Sequence, residues 1–391
     1  MITAEAVLAE AVSPHETHLV AEELVDEVVA HSSDDVELRF LPALERLCSA
    51  LGAEARLSDA GRRSTRRALV SALVLQLRLH RLLARHPEIE RLPFEGPLVV
   101  VGLLRTGTTL LQNLLAQHPD VRAPKLWELM HPVPRDGSTG ERRRLIAATR
   151  SYVRTCYRAV PAFRAVRYLD AELPDECHRL LGKTFTSDVY TLRYRIPRYA
   201  HWLGEQDMRE PYELHRTLLR CLLWREPGGH VALKCPTHLW HLEELAAAYP
   251  QGRLVRLHRD PVTAVASACS LTAVVRSAYS AEVDRAEIGR YWSERAEAAL
   301  GAAHRSDDVH GLPVLELRYD DLVGDPVGAV ASVCEFAGIR WTGSAEKRVR
   351  RFLDRNLQGR HGVHRYGPEE FGLSRAGLEE RFDDYRKEFG L

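Results

Sequence analysis

The chain has 391 residues, 45% of them apolar, which suffices for a sizeable core and for either two average domains or one catalytic domain with an extension. Lys and Arg together number 54, as do Asp and Glu, so there is no overall basic field to gather nucleic acid and no acidic tail. Seven cysteines stand singly without a C-x-x-C pair, which argues against a disulfide framework or a zinc ribbon and fits a reducing cytoplasm.

The N-terminal "MITAEAVLAEAVSPHE" has no basic segment ahead of an apolar core, and nothing approaches the ~20 apolar residues of a membrane span, so a soluble, unprocessed cytoplasmic chain is expected. From 15 to 86 apolar residues recur every three or four positions, which predicts helices. Residues 1–95 are therefore taken as a helical N-terminal extension. At "LPFEGPLVVVG" the pattern changes: Pro93, Gly96 and Pro97 punctuate the chain before a short β-branched run suited to a buried parallel strand. The segment 135–225 reads as mostly helical, and 125–225 is expected to be an insertion that roofs an acceptor pocket. Short apolar runs at 230–236, 252–260 and 313–321, each followed by a helix-compatible stretch, continue the βαβα rhythm of a parallel sheet covered by helices. The predicted fold class is α/β over 96–391, with a P-loop-like central parallel sheet flanked by helices.

Between the first strand and the next helix lies "GLLRTGTTL" at 102–110, a phosphate-binding pattern with Thr108 where the Walker lysine would stand. A Gly-rich turn at a helix start aims backbone N–H groups and the positive end of the dipole at an anion. Thr108 and Thr109 add hydroxyls, and the cation is Arg105, three residues early. One guanidinium and the amides suit a group carrying less charge than a γ-phosphate, without a metal.

"RTGTT" at 105–109 resembles the first loop, [KR]-[ST]-G-T-T, of sulfotransferases that use 3'-phosphoadenosine 5'-phosphosulfate (PAPS). The resemblance runs over roughly 97–391, closest to the broad bacterial branch with the arginine form of the loop. It implies that Arg105, Thr106, Gly107, Thr108 and Thr109 hold the 5'-phosphosulfate. "HRDPVTAVASACS" puts Arg259 at a strand end and Ser267 eight residues on, matching the family's 3'-phosphate pair; a guanidinium fork and a hydroxyl at a helix start suit a phosphate. "YDDLVGDP" at 319–326 resembles the segment whose tyrosine lies beside the adenine, which assigns Tyr319, and in the tail Arg365, backed by His364, is the expected cover of the 3'-phosphate. Leu104 and Leu110 depart from the family, replacing a proline and an adenine-stacking tryptophan.

Transfer to a hydroxyl needs a base and positive charge on the departing oxygen. "LKCPTHLWHL" offers Lys234 as stabiliser and His238 as base, a placement similar to the family's lysine and histidine, with His241 expected to be structural. Glu128 and Glu176 are second-choice bases or acceptor contacts. Asp170, Glu172, Asp175 and Glu176 crowd around Pro174 but are expected to be solvated, and no metal site is expected. The aromatics Trp127, Phe163, Tyr168, Phe185, Tyr190, Tyr194 and Trp202 suit either a lipophilic or ring-containing alcohol or the core. The sequence thus predicts a metal-independent sulfotransferase moving a sulfuryl group from PAPS to a small hydroxyl acceptor and releasing adenosine 3',5'-bisphosphate; a homo-oligomer is compatible with this. Two alternatives share the fold: a small-molecule kinase, which lacks its Walker lysine and Mg²⁺ aspartate here, and a catalytically silent nucleotide-binding protein.

Overall fold

Leu98, Val99, Val100 and Val101 are all buried, because strand β1 (Leu98–Gly102) runs through the middle of the sheet with a helical layer on each face. In the computed structural model, which describes residues 17–30, 39–94, 96–134, 138–304, 310–356 and 366–391, the sheet contains β2 (Val121–Arg122), β3 (His230–Lys234), β4 (Arg253–His258) and β5 (Val314–Arg318) as well. The order is β2-β3-β1-β4-β5 and every pairing is parallel. The four predicted strands are present; β2, two residues long, is too short to leave a period in the sequence. β1 lies between β3 and β4, so the chain turns to one side of β1 and later to the other. The crevice at such a switch point opens at the carboxyl ends of the strands, where the loop after β1 begins.

The period of two along β1 divides two cores. Val99 and Val101 face one that includes Leu233, Leu254 and residues of the N-terminal helices α1 (Ala21–Val29), α2 (Leu41–Glu54) and α3 (Asp59–Arg85). Helix α3 starts where Ser58 Oγ accepts from the Gly61 N–H, and it buries Leu69, Val70, Leu73 and Leu77 on one stripe. The N-terminal helices thus share a continuous core with the sheet. Leu98 and Val100 face the other core, with Leu111, Leu114 and Leu115 of α4 (Thr108–Leu115).

From 139 to 225 the chain is mostly helical, as expected, from α5 (Thr139–Ala159) through four short helices to α6 (Arg209–Arg225). Helices α7 (Pro261–Arg276) and α8 (Arg285–His304) follow β4. The last helix, α9 (Asp383–Phe389), closes against the end of β4: Tyr385 Oη lies 2.5 Å from His258 Nδ1, and the Phe389 ring stacks on the imidazole at 3.7 Å. Among the described residues no helix is long and apolar enough to cross a membrane.

Candidate active site

The loop after β1 turns on three residues with positive φ: Gly102 (155°), Arg105 (74°) and Gly107 (91°). Arg105 is the non-glycine among them and pays a conformational cost there, as functional loops often do. The loop closes on itself through Thr106, whose Oγ1 donates to the Leu103 carbonyl at 2.8 Å, so that hydroxyl is spent on the turn. The first hydrogen bond of α4 runs from the Leu111 N–H to the Gly107 carbonyl. The amides of Thr108, Thr109 and Leu110 therefore have no partner within the helix, and Gly107 supplies no side-chain cap. An uncapped helix start with a basic side chain beside it is fitted to an anion.

Residues distant in sequence meet this loop. Arg105 Nε donates to Ser267 Oγ at 3.2 Å, and its Nη1 to the Val166 carbonyl at 3.1 Å. Arg259 Nη1 donates to the Arg105 carbonyl at 2.7 Å, and the Arg259 guanidinium lies 4.1 Å above the Tyr319 ring. Tyr319 in turn backs Gly107, where a Cβ would fall 2.8 Å from Tyr319 Cδ2. Ser267 sits in the second turn of α7, buried, rather than at the helix start expected from the sequence.

On the other side of the loop stands Lys234, at the end of β3 and 1% exposed. Its Nζ donates to Thr109 Oγ1 at 3.0 Å and to Glu176 Oε1 at 2.7 Å. Glu176 Oε2 receives Arg167 Nη1 at 2.9 Å and lies 2.9 Å from His178 Nδ1. Two backbone contacts fix this strip: the Cys177 N–H donates to the Lys234 carbonyl, and Gln112 Nε2 to the Asp175 carbonyl, both at 3.1 Å. Burial works to raise the Glu176 pKa, but the Arg167 and Lys234 charges and the His178 bond overcome it and hold the carboxyl well below its ordinary range. Burial depresses His178 to about 4 against the pull of Glu176, so the imidazole is neutral at pH 7. Asp175, expected to be solvated, is buried between Arg167 and Arg179. Glu172, by contrast, is half-exposed and pairs with Arg150.

Several expected site residues are elsewhere. His238 is fully buried, with Nδ1 2.6 Å from Tyr212 Oη and Nε2 3.2 Å from Cys177 Sγ. With both ring nitrogens engaged and no exposure, it has no lone pair to offer an acceptor, and burial lowers its pKa far below the ordinary value. Glu128 is buried too. It takes the Lys125 N–H at 2.7 Å and Arg122 Nη2 at 3.0 Å, which makes it a helix cap rather than an acceptor contact. His241 pairs with Asp188 at 2.8 Å, a structural contact. Arg365 and His364 lie outside the described residues.

A cleft opens beside the loop, lined by Leu104, Glu176, His178, Trp240, Tyr291 and Trp292 among others. Its Trp and Tyr rings come from segments after 225, while Arg167, Glu176, His178, Asp188, Val189, Thr191 and Leu192 come from the 125–225 segment. None of the seven aromatics singled out in the sequence lines it; Trp127, Phe185, Tyr190 and Tyr194 are core. His178 and Arg167 were the residues sequence reading missed. For His178 the available signal was the string "DECHR" at 175–179, read there for its carboxylates alone; Arg167 stands eight residues earlier, in "FRAVRYLD".

Behind the cleft, Cys177, His215 and His238 bring ligand-type atoms within 4.8 Å of one another. The cluster has three donors where a closed structural zinc site takes four, and Cys177 and His238 already bond each other, so it serves as a polar patch in the core.

Residues 97–343 match the family profile described as "Sulfotransferase family". The omega-hydroxy-beta-dihydromenaquinone-9 sulfotransferases Stf3 of Mycobacterium bovis and Mycobacterium tuberculosis are each 25% identical over 277 residues, covering 66% of this chain and 67% of theirs. Among solved structures, sulfotransferase STF1 from Mycobacterium tuberculosis H37Rv superposes with a TM-score of 0.80 at 27% identity, over 94% of this chain and 100% of that one. Sulfotransferase STF9 from Mycobacterium avium gives 0.79 at 26% identity, over 94% and 96%.

Proposed function

This chain belongs to the sulfotransferase family, and on that premise we propose that it carries a sulfuryl group from PAPS to the hydroxyl of a lipophilic or ring-bearing small molecule, releasing adenosine 3',5'-bisphosphate. The observation that carries this reading is the convergence of Arg105, Ser267, Arg259 and Tyr319 on one loop. Two arginines, a buried hydroxyl, a helix start with open amides and an aromatic face are the groups that a nucleotide bearing two separate anionic ends requires.

Bound PAPS supplies an activated sulfuryl group attached to a phosphate that can leave. Everything else is the protein's work. Arg105 and the amides of Thr108 and Thr109 hold the 5' end, while Arg259 and Ser267 hold the 3'-phosphate. Lys234, at the junction of loop and cleft, supports the charge that develops on the departing oxygen. The acceptor's hydroxyl end points into the narrow cleft between Leu104 and Trp240, which Tyr291 and Trp292 also line. The curated relatives are named for an omega-hydroxylated menaquinone derivative, which supports an apolar alcohol here.

Incubation with ³⁵S-labelled PAPS and a panel running from 2-naphthol to 1-dodecanol tests the reading. Label should pass into the organic extract with matching release of adenosine 3',5'-bisphosphate. Failure to bind that nucleotide in preference to AMP would sink the donor assignment.

A further inference from the structure

We infer that His178, oriented by Glu176, is the group that takes the acceptor's hydroxyl proton. This rests on the transfer reading above and names a residue for the role that the buried His238 cannot fill. Three observations carry it. The imidazole lines the same cleft as Leu104, Trp240 and Trp292. Its Nδ1 is fixed 2.9 Å from Glu176 Oε2, and a carboxylate accepts only, so the ring's proton sits on Nδ1 and Nε2 carries the lone pair. Among the described residues nothing hydrogen-bonds that Nε2, nor is it a sealed-in orphan.

The rival within the site is Glu176 itself, and its surroundings decide against it. Its oxygens are taken up by Lys234, Arg167 and His178, and two fixed cations make the carboxylate a poor proton acceptor. His178 is free of such a partner on one side, and its neutral ring leaves the Nε2 lone pair open to a proton. The charged groups that reach the ring include Glu176, Asp175, Arg179 and Arg167. Across the cleft, Asp188 and Arg295 are paired with each other.

The step balances within the groups named. The acceptor O–H proton passes to His178 Nε2 as the acceptor oxygen forms its bond to sulfur. The bond from sulfur to the nucleotide's phosphate oxygen breaks, and its electron pair leaves with adenosine 3',5'-bisphosphate. Glu176 then faces an imidazolium, which its negative charge stabilises, as a buried carboxylate does behind a catalytic histidine. Lys234 links this pair to the loop through Thr109, so base and sulfuryl site are held by one rigid strip.

The experiment compares wild type with His178→Ala and His178→Gln, using ³⁵S-labelled PAPS and 2-naphthol or 1-dodecanol. Both variants should lose about 10²-fold or more in kcat while retaining affinity for adenosine 3',5'-bisphosphate, which also reports that they are folded. Added imidazole should restore part of the His178→Ala rate, with a pH dependence that follows free imidazole. A kcat within about threefold of wild type in either folded variant overturns the proposal. A second readout needs no turnover: ¹⁵N-histidine NMR, assigned by difference against His178→Gln, should show a neutral ring protonated on Nδ1 at pH 6 and lose that signature in Glu176→Gln. A ring protonated on Nε2 overturns the proposal even if no acceptor is found. If wild type itself fails to bind the nucleotide or transfer label, the transfer reading fails, and the NMR result still judges the tautomer.

Discussion

The ammonium of Lys234 is shared between Thr109 Oγ1 at 3.0 Å and Glu176 Oε1 at 2.7 Å, joining the anion-binding loop to the wall of the cleft. Lys234→Met keeps the bulk of the side chain and removes only the charge. Glu176 would retain Arg167 and His178 but lose one partner of a buried pair, which costs about 3 kcal/mol. The same substitution should lower kcat by about 10² or more through loss of electrostatic support. Urea unfolding and label transfer measure the two effects separately, and an unchanged rate would deprive Lys234 of any part in the chemistry.

Arg259 and Ser267 predict which nucleotide the protein prefers. At a concentration of 100 times Kd, adenosine 3',5'-bisphosphate should add about 2.7 kcal/mol to the folded state, whereas AMP, lacking the 3'-phosphate, should add far less. Arg259→Ala should bring the two thermal shifts together. Equal shifts in wild type would remove the 3'-phosphate assignment.

Charge in the loop comes from Arg105 and open amides. Dialysis against EDTA should leave both Tm and activity as they were, while Arg105→Ala should cost about 10² to 10³ in kcat. Strict Mg²⁺ dependence would point back to a kinase. A metal equivalent that survives dialysis and disappears in His215→Ala would instead mean that the Cys177, His215 and His238 cluster holds an ion.

Gly107 is needed twice over, for its φ of 91° and for the closeness of Tyr319. Gly107→Ala should destabilise the fold by about 1–3 kcal/mol and weaken nucleotide binding. Adding Tyr319→Ala should recover the part due to the clash and leave the part due to the backbone. Strict additivity of the two changes would show that ring and glycine do not interact.

Acid should weaken the fold through buried imidazoles. Burial lowers His178 to about 4 and His215 to about 3, and His238 lies well below its ordinary value. In the unfolded chain each takes up a proton near pH 6.5, so the unfolded state binds more protons below that point. Their contribution is therefore complete above pH 6.5 and is lost as pH falls toward 4, at up to about 1.4 kcal/mol per pH unit for each histidine. Chemical unfolding at pH 7, 6, 5 and 4 reads the slope, which should become shallower in His215→Phe.

The sheet and loop were legible because they depend on local order: a β-branched run, a Gly-containing turn and a helix start are consecutive in the chain. The placement of Arg259, Lys234 and Tyr319 beside the loop was legible for a related reason, since each stands at a strand end and a parallel sheet brings such ends to one edge. His238 has the same placement and misleads. Its burial is set by α6, which lays Tyr212 against it from 26 residues away, and no spacing rule reports that. The cleft aromatics were equally hidden, because Tyr291 and Trp292 belong to α8, far from the segment expected to build the roof.

That division of labour has a bearing on how acceptor choice can change. The groups proposed to hold the nucleotide sit at the sheet edge and on the helices that follow it, where Arg105, Ser267, Arg259 and Lys234 are each tied to another group. The rings proposed to face the acceptor stand on α8 and the short helix Pro236–Trp240, and their polar atoms bond Thr191, Arg295 and Thr272 rather than the loop. A library restricted to Val189, Leu192, Trp240, Tyr291 and Trp292 should therefore yield variants that differ in which alcohol they sulfate while drawing on PAPS with undiminished affinity.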